Sequence, residues 1–188
     1  MSVARPALLL ALTLALAACG GEESAKKSPS AAECEPLSGA ATTERMSPAV
    51  QNRDTMFLTD VSVETEDCVE RVVFDFKSSE AGPGFEVSYK PADAAKTEDG
   101  SGNMLDIAGQ SFLVVRIAPA MTAEIEGEDV KPTYTGPREI VPEDARFIRE
   151  IEKTGDFEGV VTWAIGLDRE RPFTTNASEG RLTVEIGP

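Results

Sequence analysis

The stretch Val69-Glu70-Arg71-Val72-Val73-Phe74-Asp75-Phe76 decides the fold class of this chain. Its apolar side chains recur with a period of two, which places Val72, Phe74 and Phe76 on one face. A period of two is the pattern of a β-strand with one buried face. Segments 57–63 and 85–90 show the same alternation. The centre of the chain is therefore predicted to be built from strands.

Further short apolar runs are separated by Gly, Pro, Asp and Asn, as in a protein made of many short strands. The turn 81–84 predicts a hairpin between segments 69–76 and 85–90. Segment 146–153 fits a strand and, alternatively, a short helical turn, because its apolar residues suit both spacings. The full set of predicted strands is 57–63, 69–76, 85–90, 104–107, 112–117, 130–135, 146–153, 157–167 and 181–186.

No segment sustains a long amphipathic helix. Many closely spaced strands joined by turns predict an all-β fold, a β-sandwich or partly open barrel of short, mostly antiparallel strands. Residues 55–188 are expected to form this single domain.

The N-terminus has the pattern of a bacterial lipoprotein signal. A polar start up to Arg5 precedes the apolar run 7–17, and small residues lead to Cys19. The run is shorter than the roughly 20 residues that span a bilayer. We expect residues 1–18 to be a signal peptide and Cys19 to carry the lipid that holds the protein on the extracytoplasmic face of the cell membrane. An ordinary signal peptide with an incidental cysteine, or an uncleaved membrane anchor, are the alternatives.

Residues 19–54 are predicted to form a flexible tether, because they contain few large apolar side chains to offset the entropy of ordering. Cys34 lies in this segment and Cys68 in the domain. In an oxidising compartment these two cysteines form an even pair, and a disulfide between them would be worth roughly 3–4 kcal/mol. Two unpaired thiols are the alternative.

Composition excludes several classes of function. The formal net charge of −15 disfavours nucleic acid as a partner. The chain contains no histidine, which removes the commonest general base and metal ligand. The turn 99–103 lacks the spacing of a calcium loop, and the acidic segment 124–129 fits a solvated loop better than a cation site. No metal and no cofactor are predicted.

Two stretches offer candidate site residues. Trp163 is the only tryptophan and is expected to pack in the core, with ligand stacking as the alternative. Asp168 and Arg171 are spaced to form an ion pair that shapes a turn, or to serve as polar anchors in a ligand groove.

These stretches also carry a family resemblance. Tyr134-Thr135-Gly136-Pro137-Arg138, Thr154-Gly155-Asp156-Phe157-Glu158-Gly159 and Gly166-Leu167-Asp168 with Arg171-Pro172-Phe173 resemble the signature of the AMIN-like domain, typical of actinobacterial secreted proteins and lipoproteins. The resemblance covers about residues 56–186. Cys68 stands where such relatives are expected to carry a small or apolar residue, which favours its pairing with Cys34.

The AMIN-like family is named for its similarity to β-sandwich modules that target cell-wall amidases and secretion channels to the envelope. The resemblance implies a non-catalytic module that binds peptidoglycan or another cell-wall glycan. Alternatives are an adaptor that binds another envelope protein through an exposed strand edge, and a carboxylate-dependent cell-wall hydrolase. The residues expected to line a ligand groove are Tyr134, Arg138, Trp163, Asp168 and Arg171.

Overall fold

A computed structural model of the chain describes residues 34–47, 54–77 and 82–188. Residues 1–18 and Cys19, where the signal peptide and lipid are predicted, lie outside the described residues. Within them the only helix is α1 (Ala92–Ala95). The strands are β1 (Arg45–Met46), β2 (Met56–Thr65), β3 (Glu70–Phe76), β4 (Phe85–Lys90), β5 (Ser111–Ile117), β6 (Ala120–Met121), β7 (Ala123–Glu126), β8 (Asp129–Pro132), β9 (Glu139–Ile140), β10 (Ile148–Phe157), β11 (Val160–Leu167), β12 (Phe173–Ser178) and β13 (Arg181–Ile186).

The strands form two facing sheets and one separate hairpin. One sheet has the order β1-β4-β5-β11-β10-β9, and the other has the order β12-β13-β3-β2-β6. The hairpin pairs β7 with β8. All neighbouring strands are antiparallel except β2 and β6. The predicted all-β sandwich of mostly antiparallel strands is therefore confirmed.

The predicted hairpin between segments 69–76 and 85–90 is wrong. β3 pairs with β2 and β13, whereas β4 pairs with β1 and β5 in the opposite sheet. A period of two shows which face of a strand is buried but carries no information about its neighbour, so the chain can cross between layers at this point.

The remaining predicted strands agree only in part with the structure. Segment 146–153 belongs to a strand, β10, and not to a helical turn. Segment 104–107 has only an isolated bridge, between Met104 and Thr97. β12 is absent from the predicted strands because its sequence, Phe-Thr-Thr-Asn-Ala-Ser, is mostly polar, as suits an edge strand with an exposed face.

The main core lies between the two sheets. Burying one large apolar side chain in this core stabilises the fold by about 1.5–3 kcal/mol. The largest fully buried side chains in it include Trp163, Phe74, Phe173, Leu58, Leu113 and Ile117. A second cluster covers the outer face of the six-stranded sheet and consists of Ala95, Ile107, Phe112, Val114 and Ala164.

Residues 34–47, which fall in the predicted tether, lie against the domain. Cys34 and Cys68 form a disulfide with a Cα–Cα distance of 5.5 Å, as predicted. Ala41 bridges to Phe173 at the start of β12, and β1 adds to the edge of β4. The segment supplies hydrogen-bond partners to two sheet edges that would otherwise be open, which explains why a polar sequence is ordered here.

Candidate functional site

The five predicted groove residues do not share one groove. Trp163 lies in the middle of β11, and Asp168 follows the end of that strand, five residues or about 16 Å further along. Tyr134 contacts Trp163, whereas Arg171 contacts Asp168. The structure therefore divides the predicted residues among three places. Tyr134 and Trp163 lie in the core, Arg138 lies on the outer face of the six-stranded sheet, and the Asp168–Arg171 pair lies at the turn after β11.

Trp163 is a core residue with no exposed surface. Its ring packs edge-on against Phe74 and Tyr134, with centroid distances of 6.1 and 5.7 Å. The indole N–H has no hydrogen-bond acceptor among the described residues. The expectation of core packing fits this position, and ligand stacking would require the two sheets to separate.

Tyr134 and Arg138 are engaged within the chain. The hydroxyl of Tyr134 donates to the carbonyl of Pro137 at 2.6 Å, and burial raises the pKa of the phenol. Arg138 forms ion pairs with Glu98 at 2.6 Å and Glu152 at 3.2 Å. The ion pairs of Arg138 fasten the loop before β9 to the outer face of the six-stranded sheet, whereas Tyr134 packs into the core.

The pKa values of Glu98 and Glu152, the two glutamates that pair with Arg138, are shifted in opposite directions. Burial raises the pKa of Glu152, against the lowering effect of Arg138. Hydrogen bonds from Ser101 and then from Arg138 lower the pKa of Glu98. The difference arises because Glu152 lies in the sheet face and Glu98 lies in a solvated turn.

Asp168 and Arg171 form the ion pair that their spacing predicts. The guanidinium donates from Nε and Nη2 to the two carboxylate oxygens at 2.7 and 2.8 Å. It also lies 3.8 Å from the ring centroid of Phe147. The Arg171 side chain is almost fully buried, and its hydrogen bonds lower the pKa of Asp168. This pair holds the turn between β11 and β12.

Sequence reasoning missed Glu70, the most deeply buried carboxylate, which is 1% exposed. Its oxygens accept hydrogen bonds from the backbone N–H groups of Arg146, Phe147 and Ile148. The one available signal was an acidic residue on the same strand face as the apolar Val72, Phe74 and Phe76.

A cleft opens beside the Asp168–Arg171 pair, and we refer to it as the Tyr89 cleft. It has a volume of about 330 Å³, within the range of small ligand sites. It combines aromatic, amide, hydroxyl and charged groups, contributed by Tyr89, Lys90, Gln110, Ser111, Phe112 and Glu170.

Tyr89 links the cleft to the buried ion pair. Its hydroxyl donates to the carbonyl of Arg171 and accepts from the N–H of the same residue, both at 2.8 Å. Burial is the main reason that the pKa of Tyr89 is raised to about 12, so the phenol stays neutral. Neither Asp168 nor Arg171 lines the cleft. Their ion pair holds the turn whose backbone is hydrogen-bonded to Tyr89 in the cleft wall.

Some polar side chains of the Tyr89 cleft already have a hydrogen-bond or ion-pair partner among the described residues, and others have none. Lys90 lies 3.4 Å from the carboxylate of Glu86. In the described part of the chain, no side-chain hydrogen bond or ion pair engages Gln110, Ser111 or Glu170. These three side chains are therefore free to contact a ligand.

A second cleft, of about 310 Å³, lies beside the disulfide and contains Glu66, Glu70 and Arg146. Glu66 pairs with Arg71 at 2.7 Å, and Glu70 is bound to the backbone. These two carboxylates are thus engaged within the chain, whereas no hydrogen bond or ion pair with a described residue engages Asp144 in the same cleft. Over the described ranges, no three acidic or cysteine residues are arranged to hold a metal ion, and no helix has the length and apolarity to cross a membrane.

Comparison with known proteins gives one match. The AMIN-like domain family matches residues 56–187, which is most of the chain and nearly all of the sandwich. No curated protein and no solved structure matches it significantly. The match spans the Tyr89 cleft, the Asp168–Arg171 pair and the Glu70 carboxylate. The chain therefore belongs to the AMIN-like domain family.

Proposed function

We propose that this protein is a lipid-anchored, non-catalytic module of the cell envelope that binds cell-wall glycan or its attached peptides through the Tyr89 cleft. Family membership supports a cell-wall role. The observation that carries the proposal is the set of unengaged polar side chains, Gln110, Ser111 and Glu170, beside the rigidly held Tyr89.

The chemistry of the cleft suits peptidoglycan. Amide and hydroxyl side chains can bond to sugar hydroxyls and acetamido groups, and an aromatic side chain provides an apolar contact. Glu170 and Lys90 offer one charge of each sign, which matches the amines and carboxylates of stem peptides. The volume of about 330 Å³ suits one or two such units.

Anchoring at Cys19 is part of the proposal. The Cys34–Cys68 disulfide supports a location outside the cytoplasm, where such bonds persist. Radiolabelled palmitate should label the wild-type chain and not Cys19→Ala, and only the wild type should fractionate with membranes. Equal labelling of both would contradict lipidation at this residue.

Wall binding is tested by sedimenting the purified soluble chain, beginning after Cys19, with isolated cell wall at low salt. The wild type should pellet with the wall, and Gln110→Ala combined with Glu170→Ala should shift it to the supernatant. Asn176→Ala combined with Glu64→Ala is the matched control, because both residues are exposed on the other sheet.

Two results would contradict wall binding through this cleft. One is a wild-type chain that stays wholly in the supernatant. The other is a cleft variant that pellets as well as the control variant. Thermal unfolding of all variants must agree within a few degrees, so that lost binding does not reflect lost folding.

A further inference from the structure

The hairpin formed by β7 and β8 has no other strand neighbour among the described residues. The hairpin is closed at its base by the N–H groups of Thr133 and Tyr134, which donate to the carbonyl of Thr122 at 2.8 and 3.1 Å. It is attached to the sandwich by an ion pair of 2.5 Å between Lys77 and Glu124 and by a hydrogen bond from the Thr122 hydroxyl to the Asp156 carboxylate. The rest of the hairpin projects from the sandwich.

One face of the projecting hairpin is apolar. Ala123 pairs with Pro132, and Ile125 pairs with Val130, so that all four side chains lie on the same face. Ile125 and Val130 are 60% and 65% exposed, which is unusual for adjacent aliphatic side chains. A two-stranded hairpin in water is marginally stable by itself, and covering this face would stabilise it.

The tip of the hairpin is acidic. Glu126 pairs with Lys131, whereas Glu128 and Asp129 make no ion pair with any described residue. Both are exposed beside the apolar face. The surface therefore combines an aliphatic centre with a negative rim, which is complementary to an apolar groove bordered by Lys or Arg.

The hairpin lies at the end of the sandwich opposite the disulfide. β2 begins at Met56, which pairs with Ala120 just before the hairpin, and ends at Thr65, close to Cys68. The two ends of β2 are about 30 Å apart. The hairpin and the point at which the N-terminal segment is bonded to the domain therefore lie at opposite ends of β2.

Charge distinguishes between the molecules that could cover the apolar face of the hairpin. A second copy of a chain with net charge −15 would meet the acidic tip with repulsion, and an anionic lipid surface would do the same. Aliphatic side chains such as Ile125 and Val130 lack the polar groups with which glycans are bound. We propose that the β7–β8 hairpin docks into an apolar, basic-rimmed groove of a second envelope protein.

The test uses the full-length chain in cells, with a photo-crosslinking amino acid replacing Ile125. The matched control carries the same crosslinker in place of Val141, an aliphatic residue that is 59% exposed elsewhere. We expect one discrete protein adduct at position 125 and none of that mass at position 141. Mass spectrometry of the adduct should place the crosslink in an apolar segment flanked by Lys or Arg.

Charge reversal then tests the rim. Glu128→Lys with Asp129→Lys should lower the adduct yield about tenfold, as loss of charge complementarity slows association. Glu143→Lys with Asp144→Lys makes the same charge change at another exposed Glu-Asp pair and should leave the yield unchanged.

The proposal is overturned by an adduct with lipid, glycan or a second copy of this chain. It is also overturned if crosslinkers at positions 125 and 141 give the same adduct. A third contradicting result is an unchanged adduct yield when Glu128 and Asp129 are both replaced by lysine. Sedimentation of the hairpin variant with cell wall separates this proposal from the Tyr89 cleft, because that variant should still pellet.

Discussion

Glu70 on β3 is hydrogen-bonded to Ile148 on β10, with the Ile148 N–H donating to the Glu70 carboxylate at 2.8 Å. The two residues belong to different sheets, so this buried carboxylate links the layers of the sandwich. It also accepts from the N–H groups of Arg146 and Phe147. A buried donor without an acceptor is costly, so one side chain satisfies three backbone groups at the start of β10.

Replacing Glu70 should therefore destabilise the fold strongly. We expect Glu70→Ala to lower the free energy of unfolding by about 3 kcal/mol or more, since it leaves several buried donors unsatisfied. Glu70→Gln should cost less, because one oxygen can still accept. Urea unfolding measures both, with the exposed Glu64→Gln as control. A Glu70→Ala variant as stable as that control would contradict this role.

Arg171 should not tolerate replacement by lysine. Lysine keeps the charge but loses the two-pronged contact with Asp168 and the stacking on Phe147. Arg171→Ala should cost about 2–3 kcal/mol, because it removes the buried guanidinium and its two hydrogen bonds to the partly exposed Asp168 carboxylate, and Arg171→Lys should cost less. The control is Arg181→Lys, whose exposed pair with Asp75 is worth at most about 1 kcal/mol. Equal costs for the two lysine variants in urea unfolding would contradict the prediction.

The same pair predicts an acid dependence of stability. Because Arg171 lowers the pKa of Asp168 in the folded state, the pair stabilises the fold above the unfolded pKa of about 3.9. That stability is lost as the pH falls through the lower folded pKa. The difference in unfolding free energy between the wild type and Asp168→Asn should stay constant from about pH 7 to 5 and shrink below about pH 4. Chemical denaturation across this range measures it, and a difference that does not shrink at all between about pH 5 and pH 2 would refute it.

Gly166 lies where the backbone of the outer segment touches β11. A Cβ at this position would lie 1.9 Å from the carbonyl oxygen of Ala108. Gly166→Ala should cost about 1–3 kcal/mol and speed hydrogen exchange of the Ala108 amide. Gly127→Ala is the control, because that glycine has φ +66° and no neighbour within 4 Å, so only backbone strain changes. Unchanged exchange at Ala108 in Gly166→Ala would count against the contact.

Removing the disulfide should loosen the N-terminal segment. Cys34→Ser with Cys68→Ser is expected to lower stability by about 2–4 kcal/mol, since the bond joins residues 34 positions apart. Reduced wild-type protein should unfold at the same urea concentration as this variant. Two free thiols in the unreduced exported chain, detected by mass spectrometry, would show that the bond does not form.

The candidate site was only partly predictable from sequence. The spacing of Asp168 and Arg171 indicated their ion pair, and the single tryptophan indicated a core residue. Tyr89, Gln110 and Glu170 lie on separate elements and carry no shared motif. Only the packing of β4 and β5 beside the turn after β11 brings them together.

Glu70 shows the same limit for the fold. An acidic residue on the apolar face of β3 could indicate that Glu70 is unusual, but it could not indicate its three partners, because they lie more than 70 residues away. The wrong hairpin between segments 69–76 and 85–90 has a related cause, since alternation constrains each strand but not the choice of partner.

The sequence by itself determined that this chain is all-β and that it resembles the AMIN-like domain, and it offered Cys34 and Cys68 as a possible disulfide pair. These properties follow from local periodicity, residue counts and motifs, which are present before the chain folds. Only the tertiary structure decided which strands share a sheet, where the Tyr89 cleft opens and which apolar face the hairpin leaves uncovered. Those features depend on contacts between residues far apart in sequence, whose free energy is realised only when the two sheets pack together.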